Sequence, residues 1–208
     1  MTLNEALKLE KKYDSLLNKW GITTPLRRTH FFAQMYHESL FILKAENMNY
    51  SATRIMQIFG VGKHSAKVTQ AEANKLAGKP QELGERVYGL GNPTKAKEFK
   101  HAKVGDGYKY RGRPFLMITG KVNYEALSKA SGVDYVNNPD LLLREADAMI
   151  AACWYWKTNN LNKYADIDDL DGVSDVVNRG HKTSRYGDAI NFKDREEKYR
   201  FFKSKFKA

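Results

Sequence analysis

Two carboxyl residues, Glu38 and Glu46, stand eight positions apart, the first near the end of a helical stretch and the second past a short connection. A helix end and a nearby loop can hold two carboxyls across a cleft. One of them, kept protonated, can protonate a leaving oxygen; the other can activate water or stabilise an oxocarbenium-like transition state. Glycosidic bond cleavage commonly needs such a pair. The acid needs a raised pKa, which apolar neighbours supply by desolvation, and Phe32, Met35, Tyr36 and Phe41 are available to do so. Spacing alone does not single this pair out, because 24 acidic residues form many such pairs and solvated helix-end glutamates look the same.

Other chemistries have weaker support. His37-Glu38 opens like a zinc-protease helix, but that motif needs a second histidine four residues on, where the chain has Phe41. The five histidines show no tight ligand spacing and the one cysteine forbids a CxxC pair, so neither metal nor cofactor is expected. Gly60-Val61-Gly62-Lys63 and Gly105-Asp106-Gly107 read as tight turns and complete no phosphate loop. Basic residues alternate with aromatics over residues 95–113 and 193–207. Such a pattern suits a nucleic-acid channel, a sugar cleft or a solvated basic face.

The elements that must position these groups are mostly helices. Apolar residues recur at helical spacing from Leu3 to Trp20, closed by Gly21. Thr24-Pro25 reads as an N-cap and first-turn proline for a helix reaching about Leu40. Ser51 caps a helix over 52–59, and 69–77, 80–87, 121–131, 141–157, 169–178 and 194–207 read as further helices. Residues 92–107 read as a lysine-rich loop and 108–118 as extended structure. The expectation is a mainly α fold with long loops and at most a small sheet.

At 208 residues the chain fits one domain able to bury a core without disulfides. Cys153 lies in an apolar run and reads as a buried small hydrophobe. The charged start, residues 1–12, has no apolar core of a signal peptide, and no stretch approaches a membrane span. Thirty-five Lys and Arg against 24 Asp and Glu give +11, which favours encounter with polyanions: nucleic acid, anionic lipid or anionic wall.

Four blocks, read together, go further: HFFAQMYHES (His30–Ser39), ENMNYSA (Glu46–Ala52), GDGYKYRGRPFLMITGKVNY (Gly105–Tyr124) and NNPDLL (Asn137–Leu142). In order and spacing they resemble glycoside hydrolase family 19, and within it the chitinase-like phage endolysins. The resemblance implies a two-lobed, lysozyme-like, family 19 chitinase-like domain over 1–208, with a cleft between helical lobes and no separate wall-binding module. It implies Glu38 as general acid, Glu46 as base and Thr119 as the residue helping to hold the water. It implies Asn123, Asn178, Arg195, Tyr110 and Arg113 as substrate-binding residues, and an inverting mechanism.

Some positions depart from the family pattern. Two glycines that usually follow His-Glu-Ser are Leu40 and Phe41 here, and the loop to Glu46 is about one residue short, which bears on the placement of Glu46. Pro114 replaces a glycine and Met117 a cleft glutamine, and residues 181–193 look inserted. Several of the same residues also have structural readings. Arg111 and Arg113 suit buried ion pairs, Tyr50, Tyr108 and Tyr110 suit a core, Thr119 suits a β-branched core position, and Asn178 suits a turn.

The resemblance thus implies a cofactor-free, monomeric endolysin that hydrolyses peptidoglycan glycan strands and binds no nucleic acid. It would wait in the host cytoplasm and reach the wall after membrane permeabilisation. The C-terminal Lys198–Ala208, with Phe201, Phe202 and Phe206 among lysines, is expected to touch anionic outer-membrane lipid. A chitinase, a lytic transglycosylase and a non-catalytic basic binding module are the alternatives.

Overall fold

The structure, a computed structural model, describes residues 1–208, which fold as two compact units. The first comprises Met1–Leu43, Pro114–Leu116 and Glu145–Ala208; the second comprises Lys44–Arg113 and Met117–Arg144. Each buries its own apolar core. The chain is mainly α, and its only β pairings are the isolated bridges Gly60–Val68 and Arg113–Ile118.

In the first unit α1 (Leu3–Lys12) and α2 (Asp14–Lys19) lead to α3 (Pro25–Ser39). The single helix expected over residues 3–20 breaks at Tyr13, whose φ of −109° and ψ of 19° leave the helical region. Its hydroxyl donates to Glu145 Oε1 at 2.7 Å. Thr24 caps α3 by accepting from Arg27 N, and Pro25 takes the first turn, where its missing N–H leaves no unmet bond.

α10 (Glu145–Thr158) is apolar almost all round, as a central helix must be. Cys153 is fully buried in it, and burial pushes its thiol pKa well up. A 3-10 turn, Pro139–Leu143, precedes α10 where a continuous helix was expected. α11 (Asn162–Ala165) and α12 (Leu170–Arg179) follow.

α13 (Phe192–Phe206) packs along α3. Phe202 is fully buried, and it and Phe206 lie 5.9 and 5.6 Å from Phe32, ring centre to ring centre. Phe201 also packs against this core. The three phenylalanines of the segment expected to touch lipid thus pack against the core of the first unit, Phe202 buried and Phe201 and Phe206 partly so. No helix is long and apolar enough to cross a membrane.

The second unit contains α4 (Ala52–Phe59), α5 (Gln70–Leu76), α6 (Pro80–Val87), α7 (Pro93–Phe99), α8 (Asp106–Lys109) and α9 (Lys121–Ser131); α4, α5, α6 and α8 contribute to a core of Ile55, Phe59, Val68, Leu83 and Val87. α7 lies in the stretch expected to be a loop; it buries little beyond Ala96 and so carries almost no helical apolar pattern.

The extended segment expected over 108–118 is also corrected. Gly107 brings α8 hard against α6: a Cβ there would lie 2.4 Å from the Gly84 carbonyl oxygen. A Cβ on Gly84 in turn lies 2.9 Å from Tyr108 Cα. Only two glycines allow this crossing. Glu85 Oε2 then accepts from Gly105 N at 2.9 Å, and Asp106 Oδ2 from Ala102 N and Lys103 N at 3.0 Å each.

Leu40 and Phe41 both have positive φ, 51° and 52°, as the chain leaves α3. These are the two positions where the resemblance leads one to expect glycine, the residue that takes this region without steric cost. Phe41 is held there by burial against Phe115, 4.8 Å away. Leu40 is 44% exposed and gains little in return. Leu40→Gly is expected to raise stability by roughly 0.5–1 kcal/mol, the left-handed strain relieved less the entropy glycine loses on folding. A higher urea midpoint at unchanged slope checks it.

Candidate functional site

The residues singled out by sequence fall into two groups, each held within one unit. In the first unit, adjacent residues of α3 are gripped by adjacent residues of α13. His37 Nδ1 lies 2.6 Å from Asp194 Oδ2, and Arg195 Nη2 donates to Glu38 Oε1 at 2.6 Å. Asp194 also pairs with Lys198 Nζ at 2.9 Å.

Arg195 is 1% exposed and each of its three guanidinium nitrogens donates one bond. Nη1 donates to Gln34 Oε1 at 2.6 Å and Nε to the Ile190 carbonyl at 3.1 Å. Gln34 Nε2 donates in turn to Ser174 Oγ at 3.0 Å. The Glu38 carboxylate, 25% exposed, is thus oriented from within by a guanidinium that cannot move freely. Tyr155, donating to the Val176 carbonyl, has its hydroxyl pKa pushed up to about 12, by burial first and then by the charge of Glu38.

Residues of the stretch 181–193, which looks inserted, belong to this arrangement. Asp175 Oδ2 accepts from Thr183 N and Thr183 Oγ1 at 2.9 and 3.1 Å, and Asp171 Oδ1 accepts from Gly187 N at 2.6 Å. Asn178 Oδ1 accepts from Ile190 N at 3.1 Å. The Ile190 peptide is therefore held at its N–H by Asn178 and at its carbonyl by Arg195. Asn178 thus fixes the chain turn that carries the Ile190 carbonyl, the structural reading given for it.

In the second unit Glu46 is seated by Gly112. Glu46 N donates to the Gly112 carbonyl at 2.8 Å, and Gly112 N donates to Glu46 Oε2 at 3.3 Å. Tyr88 Oη donates to Glu46 Oε1 at 2.9 Å. Thr119 Oγ1 lies 3.3 Å from where a Cβ of Gly112 would sit, which gathers Glu46, Gly112 and Thr119 into one neighbourhood. Thr119 Oγ1 donates to the Met117 carbonyl at 2.8 Å, and Asn123 Nδ2 to the Thr119 carbonyl at 2.7 Å. Tyr88 was not singled out by sequence; it stands 42 positions from Glu46 and no local pattern links them.

Burial raises the Glu46 pKa, against the lowering pull of the Tyr88 hydroxyl, the Gly112 N–H and the Arg111 charge. Burial likewise raises that of Tyr88, with the Glu46 charge adding to it. The sequence reading placed desolvation on Glu38. In the structure Phe32, Met35, Tyr36 and Phe41 lie in the core of the first unit, and the group bonded to the Glu38 carboxyl is Arg195.

Tyr110 and Arg113 sit in the interior of the second unit. Tyr110 is 2% exposed and donates to the Val136 carbonyl at 3.1 Å. Arg113, 1% exposed, donates to Asp140 Oδ1 at 2.6 Å, Tyr124 Oη at 2.7 Å and the Lys109 carbonyl at 2.8 Å. Their bonds are made to the protein, so they serve as framework for the 105–124 segment, the structural reading weighed for Arg113.

Comparison with known proteins agrees with these blocks. A glycosyl hydrolase family 19 domain-containing protein of Haemophilus influenzae is 34% identical over 168 residues, covering 79% of this chain and 76% of that protein. The chain belongs to glycoside hydrolase family 19. The family 19 model described as chitinase class I matches residues 91–172, which include Tyr110, Arg113, Thr119 and Asn123. An acidic endochitinase of Petunia hybrida is 38% identical over 71 residues, 34% of this chain and 27% of that protein. A basic endochitinase of Vitis vinifera is 47% identical over 55 residues, 25% of this chain and 17% of that protein. The matches thus span about a quarter or less of the length of these plant endochitinases. Family 19 membership makes it a glycoside hydrolase of mainly α, lysozyme-like fold, acting on a glycan polymer.

Proposed function

We propose that this family 19 hydrolase is an endolysin, cutting the N-acetylated glycan backbone of peptidoglycan with inversion, with Glu38 as general acid and Glu46 as the base that activates water. The observation that carries the reading is that two carboxyls are each fixed by the protein, Glu38 by the buried Arg195 with a quarter of its side chain left exposed, and Glu46 by Tyr88 and Gly112. Glu46, bonded through both oxygens beside Thr119, suits a base whose water Thr119 helps to place. The net charge of +11 suits an anionic wall. The enzyme would act as one catalytic domain, as a monomer, on a wall reached after the host membrane is opened.

The endochitinase names of the plant relatives favour a second reading, hydrolysis of chitin. The test is turbidity loss of purified peptidoglycan and of colloidal chitin, with mass analysis of products. Reducing-end sugars from peptidoglycan, at rates above those from chitin, are the expected result. Hydrolysis of chitin with an untouched wall would transfer the assignment to the chitinase. Anhydro-sugar products would replace the water base with a lytic transglycosylase mechanism.

The pH profile tests the role of Glu46. Its burial-raised pKa means the charged base is lost at a higher pH than for an exposed glutamate, so the acidic limb of kcat/KM lies above the usual carboxylate range. Tyr88→Phe removes a bond that favours the carboxylate, which raises the pKa further and moves that limb upward. The stability consequence has a fixed sign. For an acid raised on folding, the stabilisation is present below its unfolded pKa and lost as pH rises through the folded one. Tyr88→Phe therefore loses more stability at neutral pH than in acid. A limb that stays in place would remove Glu46 from the base role.

A further inference from the structure

The second unit contains a concavity of about 350 Å3 that none of the assignments above uses. Its walls include Gln81, Tyr108, Lys109, Arg111, Arg113 and Asp140. Of its three cations Arg113 is neutralised, paired with Asp140 at 2.6 Å and buried. The other two have no carboxylate partner among the ion pairs of the structure. Lys109 Nζ sits 5.1 Å from the centre of the Tyr110 ring. Arg111 lies over the Tyr108 ring, its guanidinium carbon 4.0 Å from the ring centre. One nitrogen, Nη1, donates to the Tyr108 carbonyl at 2.9 Å.

The stacking and that single bond hold the guanidinium plane while its remaining N–H groups have no protein acceptor. A pre-oriented, stacked guanidinium with free donors and an ammonium nearby is a receptor for a planar anion. The pocket is also tied to the candidate catalytic machinery. The residue after Arg111, Gly112, bonds to Glu46 through both its N–H and its carbonyl. A group bound at Arg111 is therefore held one residue from the backbone that seats Glu46.

We infer that this pocket is a carboxylate-recognition subsite, through which Arg111 and Lys109 select an acidic glycan over a neutral one. The inference rests on the glycan-hydrolase reading and deepens it. Chitin offers no carboxylate to this pocket. A muramyl glycan offers two, the lactyl ether on the sugar and those of the stem peptide, and both present the same chemistry to the guanidinium.

The test titrates the full-length Glu38→Gln protein, slowed in turnover, with three ligands at low salt: chitotetraose, a peptide-free muramyl tetrasaccharide and the same tetrasaccharide bearing stem peptides. Wild type is assayed for turnover on the same three. Preference for the peptide-free muramyl ligand over chitotetraose supports the subsite and names the lactyl ether; preference for the peptide-bearing ligand alone supports it and names the stem. In either case the preference is expected to be about tenfold and to collapse in Arg111→Gln, the scale of one charge-assisted contact. Arg111→Lys, which keeps charge and loses the planar fork, retains only part of it, and Lys109→Gln lowers it less. Unchanged thermal unfolding of these variants shows that the fold is kept. Equal binding of all three ligands, or a preference that survives Arg111→Gln with Lys109→Gln, overturns the inference. Binding that depends on Arg111 in a wild type that cleaves none of the three would sink the hydrolase reading and leave the subsite standing.

Discussion

Glu38→Gln is expected to lower kcat/KM on peptidoglycan by two or more decades while leaving the protein folded. The amide has the size and shape of the carboxyl, and its oxygen can still accept from Arg195 Nη2, so the contact between α3 and α13 survives. What is lost is the dissociable proton. Positioned proton transfer contributes about 10²–10⁴-fold, and the whole of that factor is removed. The loss should fall on kcat, with KM little changed, because the interaction removed belongs to the transition state rather than to substrate binding. Retained activity above one-tenth of wild type, with a melting curve like wild type, would take the acid role from Glu38. The first-unit geometry would then need another proton donor. Because the assay reads kcat and KM separately, it also distinguishes a lost acid from a misplaced substrate.

The sequence made the local parts of this structure visible and the long-range parts invisible. The starts of α3, α4 and α5 are written in a few adjacent residues, Thr24-Pro25, Ser51 and Thr69, whose side chains accept from N–H groups three positions on. The crossing of α6 and α8 depends on Gly84 and Gly107, far apart in the chain, so the 108–118 segment looked extended. The phenylalanines of α13 looked like a membrane-seeking face because their partner, Phe32, lies at the other end of the sequence. In each case the missing information was what covers an apolar or glycine surface, and that is decided by tertiary packing.

The candidate site divides along the same line. Glu38 and Glu46 were chosen from residue type and motif, yet nothing near either residue shows its surroundings. Arg195 meets Glu38 across 157 positions, and Gly112 meets Glu46 across 66. These distant partners decide the chemistry. The guanidinium orients one carboxyl, and burial raises the proton affinity of the other against the opposing bond from Tyr88. The stretch 181–193, which had no evident purpose as sequence, supplies the Ile190 carbonyl to which Arg195 Nε donates.

Arg195→Ala is the substitution expected to damage both stability and activity. It deletes a buried side chain with three separate acceptors, Gln34 Oε1, Glu38 Oε1 and the Ile190 carbonyl. Gln34 is fully buried, so its oxygen is left without a donor; Glu38 can partly recover solvent. Breaking a buried charge pair from one side costs 3–5 kcal/mol, and the exposure of Glu38 argues for the lower end, about 3 kcal/mol. For a chain of this size that corresponds to a fall in Tm of roughly 6–12 °C. Arg195→Lys restores charge but can reach fewer of the three acceptors, so its loss should be intermediate. Activity is measured well below the lowered Tm, so that a deficit reports on position rather than unfolding. The mechanism makes a sharper demand of the double variant. If Arg195 works by holding Glu38, its loss should add little once Glu38 is glutamine, because residues acting as one unit are not additive. Full multiplication of the two losses would mean that Arg195 acts on the substrate independently of Glu38.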